Sequence, residues 1–456
     1  MGIHGWRGQL SRSLPDPFWE KVLAWSTSNP TDSSLSITDV RDANIASSRS
    51  VAMHLGVEFS QDPWLGITTV SKTDWALLVE GFFAAGFRLT RADSVAASFG
   101  VLQVWSVQSS NSTPGITRRR QSGVGALWAV YSDGKTLAPD VQDFTSPIDA
   151  VYTWVDSADP EWQTAYREFK QSVPAGEAHP TSRDLGRYTS RDELKYSLRS
   201  LEMNMPWIRN IYLVTAGQVP SWLNTENTKI KLVSHAEIFD TPEECLPTFN
   251  SHAIETQLAN IEGLSEHFIY VNDDIFFGRP MSPNVFFTGS GSVKYSLAKA
   301  HYAEAANPRL AVNLAAKLNA GLIESKYGKT TSLKFKHVAH PQLRSIHKLI
   351  RETFPDEVKA TARHKFRHVE DISVPSSLAH YVAAAEGLGV PADIEYSYVD
   401  LGGDHLPMKL YRLVRGRGMQ MFCLNEVASV SEKEKRGQLA KRVLDALFPF
   451  KSSYEK

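Results

Sequence analysis

From Ile148 onward, apolar runs the length of single strands alternate with helix-length amphipathic segments, and this alternation most constrains the fold. "IDAVYTWVD" is an apolar run that stops at Asp156. "SRDELKYSLRSLEMN" follows with Leu194, Leu198 and Leu201 at i, i+4 and i+7, the spacing of one helix face. Ser190 with Glu193 three residues later fits a capping box at its start. "NIYLVT", "KIKLVS" and "HFIYV" read as further strands, and residues 340–390 as largely helical. The expectation is an α/β fold, a mainly parallel sheet with helices on both faces.

Residues 1–140 read separately, as a small α/β accessory region whose role the sequence does not disclose. Helices are expected at "DPFWEKVLAW" and from Thr73 to Phe87, and strands at "GVLQVWSV" and "GALWAVYSDG". The loop between these strands carries Arg118–Arg120, read as a solvated loop in preference to a phosphate site. "LAPDVQDFTSP" reads as a linker into the second region.

Within that second region, "HFIYVNDDIFFG" sets two carboxylates, Asp273 and Asp274, at the end of a buried strand. In open α/β sheets, ligands bind beyond the carboxyl ends of the strands. Asp156 ends another strand, and Asp159 follows in the same acidic turn. Two carboxylates ~4 Å apart repel by roughly 4 kcal/mol at an effective dielectric of 20. A shared proton, a basic side chain or a divalent cation would compensate, and Mg²⁺ suits carboxylates combined with phosphate oxygens. The competing reading is that these aspartates only shape turns and cap helices.

Composition decides where an anionic ligand could be held. With 49 basic and 50 acidic residues the net charge is −1, so no global field recruits nucleic acid or an anionic membrane. Local clusters must do it. "RHKFRHVED" gathers Arg363, His364, Lys365, Arg367 and His368, and arginine offers a planar fork for phosphate, although a solvated face is the competing reading. "KHVAHPQLRS" adds His337, His340 and Arg344. A histidine near neutrality can move a proton, worth about 10²–10⁴ in rate. Pro341 argues against a helix bearing both histidines as zinc ligands. Cys245 and Cys423 are the only cysteines, which supports neither a disulfide framework nor a cysteine zinc site. The start lacks the apolar core of a signal peptide, and "WALLVEGFFAAGF" is too short to span a bilayer. A cytoplasmic protein is expected, with peripheral association at the inner face of the membrane left open, as is oligomeric state.

"IDAVYTWVDSADPEW", "RDELKYSLRSLEMNMPWIRNIYLVTAGQVPSWL" and "LPTFNSHAIETQLANIEGLSEHFIYVNDDIFFGRP" closely resemble the first two blocks of the Stealth family. "HVAHPQLRSIHKLIRETFPDEVKATARHKFRHVEDIS" resembles the third block and "FCLNE" the fourth, in the family's order. The resemblance implies a Rossmann-like catalytic core over 148–335, from the first two blocks. It also implies that 336–456, a largely helical part, completes the active site. The activity implied is transfer of a hexose-1-phosphate from a nucleotide-diphosphate sugar to a hydroxyl of a saccharide or polysaccharide acceptor. A nucleoside monophosphate would leave. The short form is similar to the bacterial capsular and exopolysaccharide type.

By the same resemblance, Asp273 and Asp274 are expected to hold Mg²⁺ (or Mn²⁺) on the diphosphate, or one of them to orient the nucleophile. His337 matches the block's first histidine, an expected general acid or base, with His340 as the alternative for that role. Arg367 is expected to clamp the phosphate in flight. Trp154, Asp156, Arg191, Asp192, Asn250, His252 and Arg344 are expected to bind substrate. Trp154 could equally be core, Asn250 a helix cap and Arg344 a surface residue. The rival classes are a nucleotide-sugar glycosyltransferase releasing a nucleoside diphosphate, and an inactive saccharide-binding relative.

Overall fold

The computed structural model describes residues 15–27, 36–61, 68–71, 74–84, 88–91, 101–105, 126–132, 143–172, 188, 190–279, 281–301, 311–415, 419–425 and 433–456. The Arg118–Arg120 loop, most of the expected linker and Glu426 lie outside the described residues. Near the amino terminus, β1 (Phe59–Gln61), β2 (Thr68–Ser71), β3 (Arg88–Arg91), β4 (Val101–Trp105) and β5 (Ala126–Ser132) form one sheet in the order β1-β2-β5-β4-β3. Helices Asp16–Ser26 and Trp75–Ala84 accompany it where the apolar patterning predicts them, together with Ile37–His54, which the sequence reading did not mark. Leu23 and Ile37 from the first two helices share a core with Tyr196, Phe276, Leu410 and Phe448, so this region packs into the body that follows.

That body is organised by a second five-stranded sheet. β6 (Ile148–Thr153), β7 (Ile211–Thr215), β8 (Ile230–Ser234), β9 (His267–Asn272) and β14 (His340–Leu343) lie in the order β14-β9-β6-β7-β8. β6 pairs in parallel with β7 and β9, and β7 with β8. β7 is buried throughout and β6 up to its last residue, which is why they read as apolar runs, broken in β6 only by Asp149. Ala150, Tyr152, Leu213 and Val271 face one core together with Leu194, Leu198 and Leu201 of helix Glu193–Asn204. Val151, Val214, Phe268 and Tyr270 face a second core with Ala253, Ile254 and Leu258. Alternate residues thus feed opposite faces, and helical segments cover both.

Asp149, fully buried at the start of β6, ties down the amino end of the sheet. It accepts from the Arg209 guanidinium (2.9 and 2.5 Å) and from the backbone N–H and Oγ of Ser265 (2.8 and 2.9 Å). The chain runs β6, β7, β8 and then crosses back to place β9 on the other side of β6. The carboxyl ends of β6 and β9 therefore flank a topological switch point, with Thr153 opposite Asn272.

Two features differ from the sequence reading. The segment 340–390 is not helical from its start, because His340–Leu343 forms β14, antiparallel to β9. Pro341 is accommodated there because an edge strand tolerates a missing N–H donor. Residues 336–456 also supply strands as well as helices. β10 (Ile275–Phe277), immediately after Asp274, pairs antiparallel with β17 (Met421–Asn425), which pairs in parallel with β16 (Tyr396–Asp400). A Cβ at Gly278 would stand 2.5 Å from the Met419 carbonyl oxygen, so glycine is required where these strands close up. Short ladders join β11 (Val293–Tyr295) to β15 (Gly389–Pro391) and β12 (Leu297–His301) to β13 (Leu333–Phe335). Among the described residues no helix is long and apolar enough to cross a membrane.

Burial of histidines gives the fold a pH signature. His347 hydrogen-bonds Gln342 Oε1 through Nε2 (2.8 Å), and burial, aided by the Arg351 charge, pushes its imidazole down to about 3. Unfolded histidine titrates near 6.5, so between these values the unfolded chain binds a proton that the fold refuses, and stability falls as pH drops. Buried carboxyls with raised values, Glu193, Glu255 and Asp273, pull the other way, so the test is a difference. Between pH 7.5 and 5.5 the wild type is expected to lose about 1.4 kcal/mol more unfolding free energy than His347→Gln. Urea unfolding at both pH values measures this, and parallel losses would contradict it.

Candidate active site

β9 delivers Asn272 to the edge of the sheet, and Asp273 and Asp274 form the turn into β10. β14 runs antiparallel to β9, so its entry, not its exit, lies at this end. His337 is three residues before β14, and its Nε2 lies 3.5 Å from Asp274 Oδ1. On β17, Cys423 and Asn425 point to one face, as residues two apart on a strand do. Asn425 Nδ2 donates to Asp274 Oδ2 at 2.9 Å, and Cys423 Sγ donates to the same oxygen at 3.3 Å. Asp274 Oδ1 and His337 Nε2 are buried atoms whose one facing polar group is the other, at a distance longer than a good hydrogen bond.

The electrostatics of this corner are acidic. Burial and the charges of Asp274 and Glu193 push the Asp273 carboxyl well above the usual range. Burial raises Glu193 too, against the Arg191 N–H that its side chain accepts at 2.5 Å. For His337, burial would lower the imidazole, but the charge and hydrogen bond of Asp274 outweigh it and hold the group above its ordinary value. Like-charged carboxyls beside a buried carboxylate oxygen that only His337 faces fit a divalent cation. Among the described residues, Asp274, His337 and Cys423 bring three ligand atoms within 4.8 Å of one another.

The basic half of the crevice comes from the loop after helix Pro355–Arg363. Arg367 Nη2 donates to Ser251 Oγ at 2.6 Å, and its charge acts on His337, Glu255 and Tyr270 alike. Behind it, Asp371 is fully buried. Asn250 Nδ2 (2.9 Å) and the backbone N–H of His368 (2.8 Å) donate to its Oδ2, while His364 Nδ1 meets Oδ1 at 2.7 Å. His252 Nδ1 stands 3.5 Å away. Burial would raise Asp371, yet hydrogen bonds from His252 and His364 hold it far below the usual carboxylate range. Tyr270, on β9, donates to Glu255 (3.2 Å) and meets Thr153 Oγ1 (3.0 Å) at the end of β6.

The structure thus brings together Asp273, Asp274, His337 and Arg367, and it separates His337 from His340. His340 is buried with its Nδ1 3.1 Å from His380 Nε2, away from the carboxylates. Trp154 is buried in the sheet core, with its indole N–H unpartnered. Asp156 shapes its own turn, Oδ1 accepting from Ala158 N–H at 2.9 Å, and its backbone is braced by Gln218. Arg191, Asp192 and Glu193 line a cavity of ≈ 400 Å³ with Leu424, Glu434 and Lys441. The expected capping box is absent, since the cap is Asp192 in a left-handed conformation (φ 65°) and Glu193 holds the Arg191 N–H.

Asn250 and His252 turn inward. Asn250 caps helix Ser251–Glu255 through the His252 N–H and gives its amide to Asp371, which leaves both residues as supports of the Arg367 loop. Arg344 is corrected outright. It follows β14 at the opposite, amino end of β9, where Leu343 pairs with His267, and its guanidinium donates to the carbonyls of Ala259, Leu264 and Ile261 at 2.8–3.2 Å. Cys423, Asn425, Asp371 and Glu255 escaped the sequence reading as site neighbours. For the first two the signal was their i, i+2 spacing in the fourth block.

Three family models match the chain: Stealth protein CR1, conserved region 1, at residues 146–173; CR2 at 187–295; and CR3 at 336–384. The exopolysaccharide phosphotransferase SCO2594 of Streptomyces coelicolor is 46% identical over 317 residues, 68% of this chain and 52% of that one. SCO2592 of the same organism is 44% identical over 320 residues, 69% of this chain and 34% of that one. The exopolysaccharide phosphotransferase CpsY of Mycobacterium tuberculosis is 38% identical over 326 residues, 70% of this chain and 60% of that one. The chain therefore spans roughly a third to three fifths of these relatives' lengths. Among solved structures, the galactosyltransferase LgtC with donor and acceptor sugar analogs is similar at a TM-score of 0.34 and 11% identity, over 66% of this chain and 95% of that one.

Proposed function

Because the chain belongs to the Stealth family, three of whose conserved regions it carries in order, we propose that it transfers a hexose-1-phosphate from a nucleotide-diphosphate sugar to a saccharide hydroxyl. The observation that carries this reading is the meeting of Asp274 with His337 at the switch point of the sheet. Region 2 contributes the first, in the turn that follows β9, and region 3 the second, just before the strand β14 that pairs with β9. The relatives' names, exopolysaccharide phosphotransferase, support the same activity and a polysaccharide acceptor.

In this reaction the acceptor oxygen attacks the β-phosphorus and the bond to the bridging oxygen breaks, releasing a nucleoside monophosphate. The sugar C1–O bond stays intact, so the anomeric configuration is kept. His337 Nε2 takes the acceptor proton as general base, with the Asp274 carboxylate favouring the imidazolium that results. Arg367, its fork oriented by Ser251, neutralises the phosphoryl oxygens as the β-phosphorus is attacked. Trp154 and Asp156, just beyond the carboxyl end of β6, together with Arg191 and Asp192, border the donor's place. Asp273 and Asp274 are the residues that would hold Mg²⁺ or Mn²⁺. Such a cation, when bound, withdraws charge from the diphosphate.

Product analysis tests the reading. Incubated with Mg²⁺, UDP-N-acetylglucosamine and other UDP-sugars, and oligosaccharide acceptors, the protein is expected to release UMP and extend the acceptor by a sugar phosphate. Release of UDP would make it a glycosyltransferase and overturn the roles given to His337 and Arg367.

A further inference from the structure

We propose that Asp274, His337 and Cys423 form a second kind of metal site, selective for a borderline cation of the zinc class, and that its occupation shuts the catalytic centre. The donor set is the first argument. Mg²⁺ takes oxygen ligands and keeps its water, and it has no use for an imidazole nitrogen beside a sulfur. Zinc binds this combination of carboxylate, imidazole and thiolate in tetrahedral sites.

Geometry is the second argument. Zinc–ligand bonds of about 2.0–2.3 Å, arranged tetrahedrally, set neighbouring ligand atoms roughly 3.3–3.6 Å apart. In the structure Asp274 Oδ1 lies 3.5 Å from His337 Nε2, and Asp274 Oδ2 lies 3.3 Å from Cys423 Sγ. All three residues present ligand atoms within 4.8 Å of one another, so small side-chain rotations suffice. Asp274 Oδ1 and His337 Nε2 are buried and face only each other, at 3.5 Å, which is longer than a good hydrogen bond. The scaffold is fixed: Cys423 is fully buried on β17 opposite Ile275, one residue after Asp274. The His337 side chain is 35% exposed, which leaves the fourth position open to water or a phosphate oxygen.

Binding converts the Cys423 thiol to thiolate, its proton leaving to solvent as the metal–sulfur bond forms. It also occupies His337 Nε2, the atom that would take the acceptor proton. The inhibition therefore rests on the transferase reading, whereas the binding does not.

Cobalt is the probe for the binding. Co²⁺ added to Mg²⁺-free protein is expected to give a near-ultraviolet thiolate-to-cobalt charge-transfer band that Zn²⁺ abolishes by competition. Cys423→Ser should lose the band and bind Zn²⁺ at least tenfold more weakly by calorimetry. Cys245→Ser, which alters the other cysteine, should keep both. Absence of the band in the wild type, or equal Zn²⁺ affinity in Cys423→Ser, would overturn the site. These measurements need no substrate, so they stand apart from product analysis. In the transferase assay, Zn²⁺ at micromolar level is expected to inhibit against millimolar Mg²⁺, and Cys423→Ser to resist. Activity unaffected by Zn²⁺ at concentrations that abolish the cobalt band would overturn the inhibitory role.

Discussion

Replacing Asp274 by Asn is expected to lower turnover by about 10²–10³-fold or more, the range for removing one group that stabilises developing charge. The substitution keeps the shape and one acceptor oxygen, so Asn425 and Cys423 retain a partner. What it removes is charge. The imidazolium of His337 loses its counter-ion, and the pair Asp273–Asp274 loses half of its capacity for a divalent cation. The same loss relieves Asp273, whose carboxyl is pushed up by burial and then by Asp274 and Glu193. The variant should therefore unfold at the same or a higher temperature than the wild type. Inactive but no less stable is the signature of a group kept for chemistry at some cost to the fold. A variant with near wild-type turnover would remove Asp274 from the site. One both inactive and strongly destabilised would make the residue structural.

How much of this could be read beforehand depends on how local each feature is. The strand–helix alternation from Ile148 is local, and it predicts the parallel β6, β7, β8 and β9 with helices on both faces. The strand-end positions of Asp156, Asp273 and Asp274 follow from the same pattern. The direction of a strand in the sheet is not local. Arg344 and His337 flank the short strand β14, and nothing in "HVAHPQLRS" says which of them lies beside Asp274. Antiparallel pairing with β9 decides it, sending His337 to the carboxylates and Arg344 to the far end.

The capping box failed for a related reason. Ser190 and Glu193 have the right spacing, but the chain turns through a left-handed Asp192, which moves the serine out of reach and points Glu193 at the Arg191 N–H. Cys423 does not read as a ligand because a chain with two cysteines supports no cysteine zinc site. Its neighbours are instead Asp274 and His337, brought together by the pairing of β10 with β17. Asp371 is the same lesson in the basic half, because its partners Asn250 and His252 lie over a hundred positions away and the family blocks mark them without saying that they face inward.

Arg367 should prove as sensitive as Asp274, and in a way that separates charge from geometry. Arg367→Ala is expected to lower kcat/KM by about 10²–10³-fold, with most of the loss in kcat because the phosphoryl charge it meets grows only in the transition state. Arg367→Lys keeps the charge but not the planar fork, one arm of which is held by Ser251 Oγ at 2.6 Å. If the guanidinium acts as an oriented clamp, lysine recovers less than tenfold of the loss. Ser251→Ala should then cost a smaller factor of its own, because the fork stays charged but loses its orientation. Lysine restoring near wild-type kcat would reduce Arg367 to a general positive charge and leave Ser251 without a part in the reaction. The two residues also differ in what surrounds them. Glu255 lies behind Arg367, buried and raised by that burial, with the Arg367 charge among the forces opposing the rise. Removing the arginine therefore drives Glu255 further toward its neutral form, which keeps the pocket foldable while the clamp is gone. Loss of kcat with unfolding unchanged at neutral pH is thus the expected result for alanine, and a collapse of stability would assign Arg367 to the support of Asp371 and Glu255 instead.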